Sequence, residues 1–232
     1  MLIVSNLSKS YKKFKAVDDI SFSVDQGEVA VLVGPNGAGK STTIKSIVGI
    51  LRFDGHITIN EYDNKNLEAK KALAYVPEIP TLFPLLTVRE HIEYMAKAYG
   101  KVVNQEKIDE LLERFDLDDK QDKLGDELSK GMMQKVSICA ALIVDPDVLI
   151  LDEPMIGLDP KAIKEIKKIV LELKALNKTV LISTHMIDMI KELWDRVIFM
   201  KNGQMLATVT REDVNNKDLE ELFFEITGGE ND

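Results

Sequence analysis

The stretch from Gly34 to Ser41, Gly-Pro-Asn-Gly-Ala-Gly-Lys-Ser, matches the phosphate-binding template G-x-x-x-x-G-K-[ST] at every fixed position. Such a loop has a use only where a buried strand delivers the chain to it and a helix carries the chain away. Both flanks qualify: Val29-Ala30-Val31-Leu32-Val33 is a continuous apolar run, and Thr42 to Val48 has helix-compatible apolar spacing. The chain is thereby committed to an α/β fold around this turn. Glycines at 34, 37 and 39 let the backbone turn its N–H groups inward at a polyphosphate, and the helix adds its positive N-terminal end. Lys40 would reach the β- and γ-phosphates, and the Ser41 hydroxyl would ligate Mg²⁺. The binding set read from the loop is Gly34, Asn36, Gly37, Ala38, Gly39, Lys40, Ser41 and Thr42. The alternative, a glycine-rich turn that binds nothing, leaves the order of strand, loop and helix without purpose.

A chain of 232 residues, 45% hydrophobic and 30% charged, is long enough for one core with a small appended lobe. Its formal net charge of -9 argues against binding a nucleic-acid backbone, which calls for a basic face. The single cysteine, Cys139, allows no internal disulfide and fits a reducing cytosol; its apolar helical surroundings mark a buried structural thiol. No charged-then-apolar leader opens the sequence, and no apolar run approaches the roughly 18 residues that a membrane span needs. The expectation is a protein that does not span a membrane by itself.

Leu2-Ile3-Val4 and Ile20 to Val24 read as short strands, the second with strict alternation. Ser8 to Phe14 reads as a basic loop carrying Tyr11, which suits stacking on a base and ordinary packing alike. Gly55 to Asn60 reads as an edge strand with His56 exposed. Ala74-Tyr75-Val76 is a further strand, and the prolines at 77, 80 and 84 then fix an irregular loop that includes Glu78. Thr87-Val88-Arg89-Glu90 fits a capping box, so a helix starts at Thr87 with Val88, Ile92, Met95 and Tyr99 on one face. A second helix, with Ile108, Leu111, Leu112 and Phe115, follows the break at Gly100, and this helical insert ends near Gly125.

Leu128-Ser129-Lys130-Gly131-Met132 opens another helix, where Ser and Gly make an anion-compatible end. Val148 to Leu151 is a fully apolar strand that runs into Asp152-Glu153-Pro154, and two acids at the end of a buried strand are costly unless something uses them. Beside a phosphate cradle, Asp152 fits a Mg²⁺ ligand and Glu153 a base or water-orienting group; the alternative is a solvated acidic turn. Asp159 stands near the start of a helix bearing Ile163, Ile166, Val170 and Leu173. Thr179 to Ser183 is a strand followed by Thr184-His185. His185 reads equally as structural and as ligand-facing, since α/β folds bind ligands at the C-terminal ends of their strands. Val197–Met200 and Met205–Val209 flank a hairpin turn, Leu219, Leu222, Phe223 and Ile226 line a last amphipathic helix, and Gly228–Asp232 reads as a frayed tail.

Taken in order, the loop at 34–41, Leu128–Met132, Leu149–Pro154, Gly157-Leu158-Asp159 and Ser183-Thr184-His185 resemble the motifs of the ATP-binding cassette (ABC) ATPases, most of all the ATP-binding subunits of bacterial ABC-2-type exporters. The resemblance covers nearly the whole chain. It implies an α/β fold: a P-loop NTPase core sheet with an N-terminal antiparallel β subdomain and an inserted α-helical subdomain. Residues 1–232 would form a single ABC ATPase domain, with 1–84 and 146–210 as RecA-like core plus β subdomain, about 85–145 as the helical subdomain with the signature motif, and 211–232 as a short C-terminal helix and tail. ATP and Mg²⁺ are the implied ligands. Tyr11 would stack on adenine, Asp152 and Ser41 would hold Mg²⁺, Glu153 would polarise the attacking water, and His185 would contact the γ-phosphate. Ser129 and Gly131 would meet the γ-phosphate from across an ATP-closed dimer, homomeric or with a related ATPase, and Asp159 would bridge the two subunits. The loop from Glu78 to Leu86 and the helical lobe would receive a cytoplasmic helix of a separately encoded transmembrane permease, which holds the ATPase at the cytoplasmic face of the plasma membrane.

Two positions depart from the family pattern. Gln is common where this chain has Glu78; an ionised Glu78 keeps an oxygen for Mg²⁺ but adds negative charge near Asp152, Glu153 and the phosphates. Lys130 and Met132 stand where Gly and Gln are usual, while Ser129 and Gly131 are retained. The rival to an exporter subunit is a soluble cassette ATPase acting on nucleic acid or ribosomes. That class carries long coiled-coil insertions or two cassettes per chain; this sequence has neither, and its acidity adds to the case, so no nucleic-acid partner is expected. Glu153→Gln should accumulate an ATP-bound dimer in Mg-ATP, measured by light scattering on a sizing column. A variant that stays monomeric yet hydrolyses normally contradicts the role given to Glu153.

Overall fold

The computed structural model describes residues 1–214 and 219–227, so the tail at 228–232 lies outside the described residues. The chain begins with β1 (Leu2–Tyr11), β2 (Phe14–Val24) and β3 (Val29–Val33), enters α1 (Lys40–Ile47), and continues through β4 (Asp54–Ile59), β5 (Tyr62–Asp63), α2 (Leu67–Ala72) and β6 (Leu73–Val76). Three helices follow, α3 (Val88–Ala98), α4 (Gln105–Arg114) and α5 (Lys130–Leu142). Then come β7 (Val148–Asp152), α6 (Pro160–Ala175), β8 (Thr179–Thr184), the hairpin β9 (Arg196–Lys201) and β10 (Gln204–Thr210), and α7 (Leu219–Thr227).

The strands form two sheets: a four-stranded antiparallel one in the order β2-β1-β4-β5, and a six-stranded one in the order β10-β9-β3-β8-β7-β6. In the larger sheet β9, β3, β8, β7 and β6 run parallel, with β10 antiparallel at one edge. Every residue of β3, β7 and β8 is buried, which is why these strands read as unbroken apolar runs: a parallel strand is covered on both faces. The register pairs Val33 with Thr184 and Asp152 with Ser183, so β3, β7 and β8 end at one level. The phosphate loop, the paired acids and His185 therefore leave the sheet side by side.

Two expectations change. The loop expected at 8–14 is the tip of a long hairpin, in which Tyr11 closes β1 opposite Phe14 of β2. Register shifts between Val4 and Ser10, with Asn6 at φ 51°, break the period of two that would have shown it. The strand at 54–59 is not the edge, because the two-residue β5 pairs outside it. Neither β5 nor the short α2 has a sequence signal of its own, both being too brief to show a period.

The helical segment starts where its capping box predicts. The Glu90 N–H donates to Thr87 Oγ1 at 3.2 Å, and the Glu90 carboxylate accepts from the Thr87 N–H at 2.8 Å. Arg114 of α4 reaches across to α6, with Nε on Glu165 and Nη2 on Glu172 at 2.8 Å, which ties this segment to the sheet-covering helix. Thr87→Ala should lower stability by about 1 kcal/mol through loss of the cap, while Thr87→Ser should hold it. The urea midpoints of the two variants, at equal m-value, check this.

Candidate functional site

Packing dictates the glycines of the phosphate loop. A Cβ on Gly34 would lie 2.2 Å from the carbonyl oxygen of Met200, and one on Gly39, whose φ is +104°, would lie 2.8 Å from that of Ala16. Gly39 is also the N-cap of α1 and brings no side chain to it, so the first N–H groups of the helix stay open to an anion.

Residues 36–42 line one cavity of about 330 Å³ together with Tyr11, Glu78, Glu153 and His185. Gly34 sits behind this wall against β9. Lys40 and Glu153 are buried, each 6% exposed. Lys40 donates to the carbonyls of Gly34 at 2.7 Å and Pro35 at 3.3 Å, and stands 3.3 Å from Glu153 Oε1. The same Oε1 is 3.0 Å from His185 Nδ1. Glu153 Oε2 has no hydrogen-bond partner. The backbone of Glu153 is itself constrained, at φ 47°, a region that a residue with a Cβ occupies only under tertiary restraint. The restraint is Ser183: the Glu153 N–H donates to its carbonyl at 3.1 Å and its hydroxyl at 3.0 Å.

Asp152 is tied through Oδ1, which accepts from Ser183 Oγ at 2.5 Å and Ser41 Oγ at 3.1 Å, while Oδ2 is buried and unpartnered. Hard oxygen donors with a free carboxylate oxygen fit Mg²⁺. Among the described residues no group of three or more His, Cys, Asp or Glu gathers around one point. Mg²⁺ takes one or two carboxylates and completes its shell with substrate phosphates and water, and Asp152 beside Ser41 offers such a partial set.

Ser129, Gly131 and Asp159 lie away from this cavity. Ser129 caps α5, accepting from the Met132 N–H at 3.3 Å. A Cβ on Gly131 would meet the Gly157 carbonyl at 2.8 Å, so the start of α5 packs on the turn that carries Asp159. Asp159 caps α6 at the Ala162 N–H and pairs with Lys135 of α5 at 2.7 Å; the Lys135 ammonium and then this cap hold its carboxyl below the usual carboxylate range. Four residues at the cavity were not read as site residues: Phe14, Ala16 and Ile156, which line it, and Ser183, which ties down both acids. Only Ser183 left a trace, as a hydroxyl at the end of an otherwise apolar strand. Ser183→Ala should destabilise the fold by about 1–3 kcal/mol, the cost of leaving a buried carboxylate oxygen short of a donor, and should slow ATP turnover. Urea unfolding read beside a phosphate-release assay checks both.

The family described as ABC transporter matches residues 17–156. The chain is 37% identical over 224 residues to the lipopolysaccharide export system ATP-binding protein LptB of Haemophilus influenzae, covering 93% of each. It superposes with a TM-score of 0.90 and 36% identity on a structure of the ATP binding subunit of an ABC transporter, covering 98% of this chain and 99% of that one. With a TM-score of 0.83 and 25% identity it also matches the dimeric post-hydrolysis state of the ATP-binding cassette MJ0796 bound to ADP and Pi, covering 90% of this chain and 98% of that one.

Proposed function

The chain belongs to the ABC transporter family, and from that premise we propose that it is the ATP-binding and ATP-hydrolysing subunit of an exporter whose membrane path is built by a separate protein. The observation that carries this reading is the setting of Glu153. Its buried carboxylate has one oxygen held between Lys40 and His185 and the other unpartnered, at the cavity that the phosphate loop lines. A carboxylate so placed can orient and deprotonate a water for in-line attack on a γ-phosphoryl group, and phosphoryl transfer asks for little beyond positioning and charge neutralisation.

In this reading the N–H groups of residues 36–42 and the Lys40 ammonium take the polyphosphate charge. His185, held at Nδ1 by Glu153, keeps its other ring nitrogen for the γ-phosphate. Tyr11, with Phe14 opposite it across the hairpin, receives the base. Ser41 and Asp152 would hold Mg²⁺, and Glu78 offers it a further oxygen; the ion when bound neutralises phosphate charge and orients the transferred group. Ser129, Gly131 and Asp159 stand apart from their own chain's cavity, which suits their use on a nucleotide held by a second cassette, as dimerisation of cassettes requires.

Among the described residues no helix is long and apolar enough to cross a membrane. Ile79, Phe83 and Leu85 are 69%, 53% and 80% exposed on the loop before α3, an apolar patch that fits a helix presented by a membrane subunit at the cytoplasmic face. The cargo is then selected by that subunit. Tagging this chain, solubilising the host membranes in mild detergent and identifying what elutes tests the proposal. A multi-span protein in stoichiometric amount is the expected result, and ribosomes or nucleic acid with no membrane protein would overturn it.

A further inference from the structure

The reaction set out above makes no use of Tyr75, yet its hydroxyl is among the buried side-chain groups with no hydrogen-bond partner. Tyr75 stands on β6, where the register pairs it with Ile150 of β7. Residues two apart on a strand share a face, so Asp152 lies on the face of Ile150, diagonal to Tyr75 and within reach of a long aromatic side chain. Asp152 Oδ2 is the matching orphan: Ser183 and Ser41 both bind Oδ1, and nothing binds Oδ2. A phenol is an O–H donor at neutral pH, its ordinary pKa being about 10.

We infer that Tyr75 is a positioning residue, whose phenolic O–H holds Asp152 Oδ2 by a direct hydrogen bond or through one bridging water and so sets the carboxylate for the cation. The inference rests on the reading of Asp152 as a Mg²⁺ ligand. Groups that orient a metal ligand from behind change metal affinity by about 10–100-fold when removed. Tyrosine to phenylalanine deletes that donor alone and leaves the ring in place.

The experiment is a Mg²⁺ titration of fluorescent ATP-analogue binding to the full chain, with the same binding measured in EDTA. Tyr75→Phe should raise the Mg²⁺ needed for half-saturation by about tenfold, while analogue binding and the melting temperature in EDTA stay at or above those of the unaltered chain. In an Asp152→Asn background, Tyr75→Phe should shift the Mg²⁺ midpoint no further. A midpoint unmoved by Tyr75→Phe, an equal shift in both backgrounds, or an equal loss of analogue binding in EDTA would each overturn the assignment. Asp152→Asn alone tests the reading beneath it: if that variant keeps the original Mg²⁺ requirement, the ligand role of Asp152 falls and the inference falls with it.

Discussion

Two carboxyl groups, Asp152 and Glu153, stand side by side at the end of a buried strand, where they are 1% and 6% exposed. Desolvating a charge is among the largest costs a fold can carry, and only fixed partners offset it. Here the partners come from different parts of the chain: Ser41 from the phosphate loop, Ser183 from β8, Lys40 from the start of α1, and His185 from just beyond β8. The parallel register that ends β3, β7 and β8 at one level is what brings them within reach. One oxygen of each carboxyl group, Asp152 Oδ2 and Glu153 Oε2, remains without a hydrogen-bond partner.

The same end of the sheet explains why the phosphate loop is held so closely. Gly34 lies against the Met200 carbonyl, and Gly39 against that of Ala16. The Gly203 N–H, in the turn between β9 and β10, donates to the Ala38 carbonyl at 3.0 Å, and the Gly203 carbonyl accepts from the Asp18 N–H at 2.8 Å. The C-terminal hairpin is thus wedged between the phosphate loop and the N-terminal sheet. A loop braced on both sides presents its N–H groups in a preset arrangement, and preorganisation of that kind is what lets dipoles act on a polyphosphate without first reorganising.

The helical segment is joined to the core by charge and by close backbone contact. Arg114 spans to Glu165 and Glu172 of α6, and Lys161 at the start of α6 reaches Asp116 at 2.6 Å beyond the end of α4. Gly131 on Gly157 and Lys135 on Asp159 link the start of α5 to the same helix. The Lys161–Asp116 pair, with both side chains largely exposed, contributes only modest stability. The geometric effect of these contacts is larger: they tie the helical lobe to the turn that follows the acids.

Local chemistry was enough to read much of this from the residues. The phosphate loop, the buried apolar strands, the acids that end one of them, the Thr87 capping box and the β9–β10 hairpin each depend on neighbours a few positions apart, so spacing alone carries them. What escaped depends on pairing across the fold. The bulges in β1 scramble its period, and only the hairpin shows that Phe14 faces Tyr11. Ser183 and Asp152 are separated by 31 positions, and nothing but the register of β7 on β8 makes them partners. Tyr75 reads as one more strand residue until β6 is laid beside β7. Sequence by itself determined which chemistry the chain carries, because a motif is a local pattern of residue types. Tertiary structure decided which groups meet and which polar atoms stay unpaired, because burial and strand register are properties of the assembled sheet and not of any segment within it.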